Sequence, residues 1–139
     1  MLAAAVVDAS VAVKWVVEEV GSEKAVALKG SSLVAPDLIL VECSNILWKK
    51  VRRRELTKKQ ATDALDQLMR AQIQLAALRD LVAGAHRLAL EIDHPSYDCI
   101  YLALADRERV PLITAGKRLV NVVRQHRKHA DRVVLLGEL

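Results

Sequence analysis

The sequence predicts an α/β fold in which a parallel sheet carries helices on both faces. Five short apolar segments alternate with longer segments whose apolar residues recur at helical spacing, an arrangement typical of a parallel sheet. Hydrophobic residues make up 53% of the chain, which excludes an intrinsically disordered protein. A length of 139 residues suits one domain with its own core, and we expect that domain to span residues 1–139.

The first predicted strand leads into two helices. Residues 2–7 are apolar and end at Asp8, as expected of a buried parallel strand. Ser10 is predicted to be the N-cap of a helix at about 11–19, because its hydroxyl can accept a hydrogen bond from a backbone amide. A second helix is predicted at about 22–29, with a glycine before it and another at its end.

A short strand at 32–35 leads into the longest predicted helix. This helix begins at Pro36, a residue type favoured in the first turn, and ends near residue 53. Glu42, Asn45 and Lys49 fall at positions i, i+3 and i+7 of the helix. An acid, an amide and a base are therefore expected to project from one side of it.

The second half of the chain contains the remaining predicted elements. These are a helix capped by Thr57, a strand at 73–78, a helix from Asp80, a helix from Pro95 to about 107, a strand at 111–114, a helix at about 116–126 and a strand at 132–136. The helix that begins at Pro95 has Asp98 in its first turn, where the helix dipole stabilises an ionised carboxylate.

Three acidic residues lie where the sequence otherwise predicts core. Asp8 follows the first strand, Glu42 follows four apolar residues, and Asp98 precedes another four. A carboxylate in apolar surroundings needs a cation, a hydrogen-bonded cap or a metal to offset its loss of hydration. Each acid alone has an ordinary explanation: Asp8 and Asp98 could cap helices, and Glu42 could pair with Lys49.

Taken together, the three acids predict a metal site. Binding sites in parallel α/β sheets form beyond the carboxyl ends of the strands, where Asp8 and Thr114 are placed. The helices that carry Glu42 and Asp98 are expected to start on the same side. Three carboxylates would repel one another unless a hard divalent cation such as Mg²⁺ or Mn²⁺ neutralised them. Such an ion can activate water, and the predicted reaction is hydrolysis of phosphodiester bonds.

Polar residues near the acids are weaker candidates. Ser10, Asn45 and Thr114 could orient the carboxylates by hydrogen bonds, or could simply cap helices and close turns. The histidines show no metal-ligand spacing with one another near the acids, and none is assigned to the site; they are His86, His94, His126 and His129.

Positive charge is concentrated in two clusters that hold thirteen of the 21 lysines and arginines. The first comprises Lys49, Lys50, Arg52, Arg53, Arg54, Lys58 and Lys59, and the second Lys117, Arg118, Arg124, Arg127, Lys128 and Arg132. They indicate either a surface that binds a polyanion or two solvated helix faces. Aromatic residues make up only 3% of the chain, which weighs against platforms of stacked rings for single-stranded nucleic acid but leaves binding by charge open.

The sequence predicts a cytoplasmic protein. Cys43 and Cys99 lie far apart without zinc-ligand spacing, and we expect both to be buried thiols in a reducing compartment. Neither a secretory signal peptide nor a membrane span is predicted, so no membrane partner is expected.

Four blocks of sequence resemble the PIN domains, and among them the VapC-type toxins of toxin–antitoxin pairs. The blocks are VVDASVAVKW at 6–15, Ala35 and Pro36 with Glu42 and NILWK at 45–49, YDCIYLALA at 97–105, and LITA at 112–115. The resemblance implies a PIN-like three-layer α/β/α sandwich and an endoribonuclease that depends on Mg²⁺ or Mn²⁺. It also implies a homodimer and a VapB-type antitoxin whose C-terminal segment lies across the active site. By motif match, Asp8, Glu42 and Asp98 are the acids of that site.

One position departs from the family pattern. PIN domains usually have a fourth acidic residue two positions after the threonine, and this chain has Gly116 there. The missing carboxylate is expected to weaken metal binding, especially that of a second ion. Natural divergence or an inactivating replacement of aspartate by glycine would each explain the difference.

Two other interpretations of the function are considered. A weakened PIN module could bind RNA or its antitoxin without efficient cleavage. A phosphate-accepting α/β domain is disfavoured, because the segment from Asp8 to Ser10 lacks the second acid of a DxD strand end. The phosphate-binding motifs GxxxxGK[ST] and GxGxxG do not occur in the sequence.

Overall fold

A five-stranded parallel sheet forms the centre of the computed structural model, which describes residues 2–139. Its strands lie in the order β3-β2-β1-β4-β5. Their bounds are Ala4–Val7 for β1, Ser32–Pro36 for β2, Gln74–Ala76 for β3, Leu112–Thr114 for β4 and Val133–Leu135 for β5. Every neighbouring pair is parallel, which confirms the predicted sheet.

Seven α-helices within residues 2–139 flank the sheet and complete an α/β sandwich. They are Ala9–Ala12 (α1), Ser22–Ala27 (α2), Leu38–Arg52 (α3), Lys58–Met69 (α4), Val82–Ile92 (α5), Ser96–Glu108 (α6) and Lys117–Arg124 (α7). Because connections between parallel strands are right-handed, α1 to α4 lie on one face of the sheet and α5 to α7 on the other. None of the helices in this range has the length and apolar character needed to cross a bilayer.

The order in which the chain adds strands to the sheet reverses at β1. From β1 it passes to β2 and β3 at one edge, and it then crosses to β4 and β5 on the other side of β1. The carboxyl ends of β1 and β4 therefore border a crevice, the usual position of a binding site in such sheets. Val7 pairs with Ile113, so Asp8 and Thr114 follow at the same level.

β1 and α6 form the centre of the core. Val6 and Val7 are inaccessible to solvent, as expected for a central strand that is covered on both faces. α6 packs across β1, β2 and β4, and its Leu102 and Leu104 are also inaccessible. Asp8 follows β1 and Asp98 belongs to α6, so both acids are attached to the most rigidly packed elements of the molecule.

The helix predicted at 11–19 is wrong in length. α1 is a single turn, Ala9–Ala12, that continues as a 3₁₀ turn to Trp15. Four β-branched valines in this segment disfavour a longer helix. The Trp15 indole donates a hydrogen bond of 2.7 Å to the carbonyl of Ala25, which ties the turn to α2 instead.

The start of α3 also differs from the prediction. Pro36 is the last residue of β2, paired with Ala76 of β3, and is not part of the helix. The Asp37 amide then donates a hydrogen bond of 2.9 Å to the carbonyl of Ala76. Because this bond continues the pairing of β2 with β3, the helix begins two residues later than predicted, at Leu38.

Thr57 is the N-cap of α4, as predicted, and forms a capping box. Its hydroxyl accepts a hydrogen bond of 3.1 Å from the Gln60 amide, and the Gln60 side chain accepts one of 2.9 Å from the Thr57 amide. Both bonds satisfy backbone donors that have no partner within the helix.

Thr57→Ala is expected to lower the free energy of unfolding by about 1 kcal/mol, because the cap bond is lost. Thr62→Ala is the matched control, since Thr62 lies in the middle of the same helix. This control should leave the stability unchanged or raise it slightly, because alanine is the better helix former. Unfolding in urea measures both, and an equal loss in the two variants would contradict the cap.

Candidate functional site

The residues singled out in the sequence line one cavity beyond the carboxyl ends of β1 and β4. The cavity has a volume of about 570 Å³. Among the residues that line it are all seven of the predicted site residues: Asp8, Ser10, Glu42, Asn45, Asp98, Thr114 and Gly116. Acids that lie far apart in the sequence therefore meet in space, at the crevice that the strand order creates.

Asp8 accepts hydrogen bonds on both carboxylate oxygens. The Ser10 hydroxyl donates to Oδ1 and the Thr114 hydroxyl to Oδ2, each at 2.5 Å. The Val11 amide also donates to Oδ1, at 3.3 Å, which makes Asp8 the N-cap of α1. The prediction of Ser10 as the N-cap is wrong: α1 begins at Ala9, so Ser10 lies inside its first turn.

Burial raises the pKa of Asp8 above the ordinary value for aspartate. Loss of hydration is the largest cause, and the negative charge of Asp98 acts in the same direction. The hydrogen bonds from Ser10, Thr114 and Val11 lower the pKa, but they do not cancel the effect of burial.

The hydroxyls of Ser10 and Thr114 are held in place by backbone amides. Ala115 donates to Ser10 Oγ and Gly116 to Thr114 Oγ1, each at 3.0 Å. Thr114 is only 1% exposed, so its hydroxyl has little freedom. Asn45 is exposed on the cavity wall and makes no side-chain hydrogen bond within residues 2–139.

Glu42 is oriented by a tyrosine. The Tyr101 hydroxyl donates a hydrogen bond of 2.5 Å to Glu42 Oε1, and its ring is buried in α6. Burial raises the pKa of Glu42, the tyrosine hydrogen bond lowers it, and the charges of Asp98 and Asp8 raise it further. The alternative pairing of Glu42 with Lys49 is not observed among the ion pairs of residues 2–139.

Asp98 lies in the first turn of α6, as predicted, and contacts a histidine. His94 Nε2 is 2.7 Å from Asp98 Oδ2, so the ring nitrogen and the carboxylate oxygen form a hydrogen bond. His94 is only 8% exposed, so its ring is fixed beside the acid. Each of the three acids therefore has a different partner within the chain.

His94 and Tyr101 were not assigned to the site from sequence. Tyr101 lies three residues after Asp98 on the same helix, so helical spacing places it on the side that carries the acid. His94 precedes Pro95 and lies outside that helix, so helical spacing does not predict its contact with Asp98. The contact between Tyr101 and Glu42 joins two helices, and no spacing within one helix indicates such a bond.

A family model of the PIN domain matches residues 5–125. The chain belongs to the PIN domain family. Ribonuclease VapC3 of Pyrobaculum aerophilum is 31% identical over 118 residues, which cover 82% of this PIN domain chain and 90% of that protein.

Two solved structures have a similar fold. PAE2754 from Pyrobaculum aerophilum matches with a TM-score of 0.69 and 19% identity, over 96% of this chain and 84% of that one. VapC20 of Mycobacterium tuberculosis, described as a Sarcin-Ricin loop cleaving toxin, matches with a TM-score of 0.61 and 15% identity, over 81% of this chain and 88% of that one. The resemblance to PIN domains and the predicted sandwich are confirmed.

The donor chemistry of this PIN domain suits a hard divalent cation. Asp8, Glu42 and Asp98 offer the carboxylate oxygens that Mg²⁺ and Mn²⁺ prefer. Burial is the main cause of the raised pKa of Asp8 and of Glu42, and repulsion from the neighbouring acids adds to it. A cation would remove this repulsion. In the described part of the chain, no three His, Cys, Asp or Glu side chains are arranged to hold one ion.

Gly116 has a backbone conformation that does not require glycine. Its φ of −81° and ψ of 101° are open to any residue, and it precedes α7 as the N-cap. A Cβ at this position would have only Thr114 Oγ1 within 4 Å, at 3.3 Å. A side chain at the position where the family usually has its fourth acid therefore requires the Thr114 hydroxyl to shift by a few tenths of an ångström.

Nine of the thirteen clustered bases have no carboxylate partner within residues 2–139. The four that do are Lys50, Lys59, Arg124 and Arg132, which pair with Glu19, Asp63, Glu138 and Asp106 respectively. Two of the nine, Lys49 and Arg118, line the same cavity as the acids. A surface that binds a polyanion and two solvated helix faces would both leave most of these bases without ion pairs.

In the metal-free protein, Asp8→Asn is expected to gain stability relative to the wild type as the pH rises from the ordinary to the raised pKa of Asp8. Since the pKa of Asp8 is raised in the folded state, that state binds more protons than the unfolded state. The wild type therefore loses stability as the pH rises from the ordinary aspartate pKa to the raised one, and the amide does not. Above the raised pKa the difference should be constant.

Denaturant unfolding at a series of pH values, in the presence of a chelator, measures this difference. Asp66→Asn is the matched control, because Asp66 is exposed and makes no side-chain hydrogen bond in the described range. A pH-independent difference between Asp8→Asn and the wild type would contradict the raised pKa.

Proposed function

We propose that this protein is the toxin of a VapBC-type pair and acts as a metal-dependent endoribonuclease. The observation that carries the proposal is the presence of Asp8, Glu42 and Asp98 in one cavity that Lys49 and Arg118 also line. Metal-dependent hydrolysis of a phosphodiester uses carboxylates that bind a divalent cation, and positive charges nearby attract the phosphate. The 31% identity with a relative named Ribonuclease VapC3 supports the same class of reaction.

In this proposal Asp8, Glu42 and Asp98 hold Mg²⁺ or Mn²⁺. The bound ion would supply an activated water and neutralise charge on the reacting phosphate. Ser10 and Thr114 would act on Asp8 by keeping both of its oxygens in a fixed direction. Tyr101 would orient Glu42 in the same way, and His94 would orient Asp98. The exposed side-chain amide of Asn45 would be available to bind the substrate.

Family membership also supports proposals about the setting in which the protein works. We propose a single PIN domain over residues 1–139 that forms a homodimer and acts in the cytoplasm. A cognate VapB-type antitoxin would neutralise it by placing its C-terminal segment across the cavity.

Gly116 favours a second candidate function. Without the fourth carboxylate, and with the three acids turned toward separate partners, the protein could bind RNA or its antitoxin and cleave RNA only weakly. Salt-sensitive RNA binding without cleavage that depends on added Mg²⁺ or Mn²⁺ would identify this function.

Asp8→Ala is expected to lower the rate of RNA cleavage with Mg²⁺ or Mn²⁺ by at least about 100-fold, because a metal ligand is lost. Gel analysis of a mixed RNA substrate measures the rate. Asp66→Ala is the matched control and should cleave like the wild type. Since Asp8 also caps α1, thermal unfolding of each variant establishes that it is folded. Equal cleavage by Asp8→Ala and the wild type would show that Asp8 is not part of the site.

Gly116→Asp is expected to raise the affinity for Mn²⁺ by at least about tenfold, and RNA cleavage with it, because it adds a carboxylate to the cavity. Isothermal titration calorimetry measures the affinity. Gly137→Asp is the matched control, since it adds the same charge at an exposed position outside the cavity. An unchanged Mn²⁺ titration for Gly116→Asp would show that the fourth position has no role in metal binding here.

A further inference from the structure

We infer that the cavity takes a single strand of RNA and holds the phosphates on the two sides of the cleaved bond with Lys49 and Arg118. This inference rests on the proposed ribonuclease function, and it assigns substrate-binding residues to it. Three observations support the inference: where the two bases come from, their lack of partners, and an exposed aromatic ring beside the acids.

Lys49 and Arg118 reach the cavity from opposite sides. Lys49 belongs to α3, which follows β2, and Arg118 belongs to α7, which follows β4. β2 and β4 are the two neighbours of β1, and Asp8 lies at the end of β1. The two helices also lie on opposite faces of the sheet. The acids therefore have a positive charge on either side, as a phosphate backbone that passes over them requires.

Both bases are free to bind an anion. Neither has a carboxylate within 4.0 Å in the part of the chain that the structure describes. Other bases of the same two helices do have carboxylate partners: Lys50 of α3 binds Glu19 at 2.7 Å, and Arg124 of α7 binds Glu138 at 2.5 Å. On each helix one base is used within the fold, and the base that lines the cavity is not. An RNA phosphate would supply the missing negative charge.

Tyr97 adds an exposed aromatic ring to the cavity wall. It directly precedes Asp98, is 69% exposed, and its hydroxyl makes no hydrogen bond within residues 2–139. An exposed ring beside phosphate-binding charges can stack on one unpaired base. A single ring is not the platform of several rings that the low aromatic content disfavours. Because a base inside a duplex is not available for stacking, the ring favours single-stranded RNA.

RNA binding by the metal-free protein tests the inference. A chelator prevents cleavage, and fluorescence anisotropy of a short labelled RNA strand gives the affinity at several salt concentrations. Lys49→Gln and Arg118→Gln should each reduce the slope of log affinity against log salt by about 0.7, the value for one phosphate of a single strand. Lys58→Gln and Arg127→Gln are matched controls, since both bases are exposed, lie outside the cavity and have no ion pair in the described range, and they should leave the slope unchanged.

A second comparison tests the contribution of Tyr97. Tyr97→Leu should weaken single-strand binding by at least about fivefold and leave the salt slope unchanged. Trp48→Leu is the matched control, because Trp48 is exposed but does not line the cavity. The wild type should bind the single strand more tightly than the duplex of the same strand. Unchanged slopes for Lys49→Gln and Arg118→Gln, or equal binding of single strand and duplex, would overturn the inference.

Cleavage of RNA by the wild type with Mn²⁺, measured in parallel, separates this inference from the proposed function. Cleavage with unchanged salt slopes would refute the two phosphate contacts and leave the ribonuclease function in place. Reduced slopes without cleavage would support the contacts and overturn the ribonuclease function.

Discussion

The hydrogen bonds to Asp8 are the interaction on which the rest of the site depends. Asp8 follows a strand that is covered on both faces, so its carboxylate loses much of its hydration and needs donors from the chain. Ser10 and Thr114 each donate to one oxygen, and the Val11 amide donates as part of the helix cap. One side chain therefore joins the carboxyl ends of β1 and β4 and starts α1. The crevice at the reversal of the strand order is thereby held in one shape.

The other two acids also have hydrogen-bond partners within the chain. Glu42 receives the Tyr101 hydroxyl and Asp98 faces His94, so each carboxylate is compensated within the chain. These hydrogen bonds offset only part of the cost of burying the acids. Burial and the charges of neighbouring acids still hold the pKa values of Asp8 and Glu42 above their ordinary values. The remaining repulsion between the acids would favour the binding of a cation.

The sequence was sufficient for the sheet and for the positions of the acids, because both depend on local patterns. Short apolar strands and helical periodicity predict five parallel strands, and a strand end predicts where Asp8 lies. The length of α1 could not be predicted, since Trp15 bonds to Ala25 of α2 and tertiary structure overrides local preference. The partnership of Tyr101 with Glu42 was equally inaccessible, because it depends on how α3 and α6 approach each other. The contact of His94 with Asp98 was not predictable from helical spacing either, because His94 precedes the helix that carries the acid.

Gly116 changes the charge of the cavity more than its shape. Its backbone conformation is open to any residue, so the fold itself does not demand a glycine there. The charged residues that line the cavity are three acids and the two bases Lys49 and Arg118, which leave one negative charge when all are ionised. One divalent cation would turn this balance positive, whereas with a fourth carboxylate the cavity would become neutral. In the cavity of this protein, which has three acids and is positive once one cation is bound, a second cation would be repelled and an anionic phosphate attracted. The loss of the fourth acid therefore favours a site that uses one ion and binds its substrate through its own lysine and arginine.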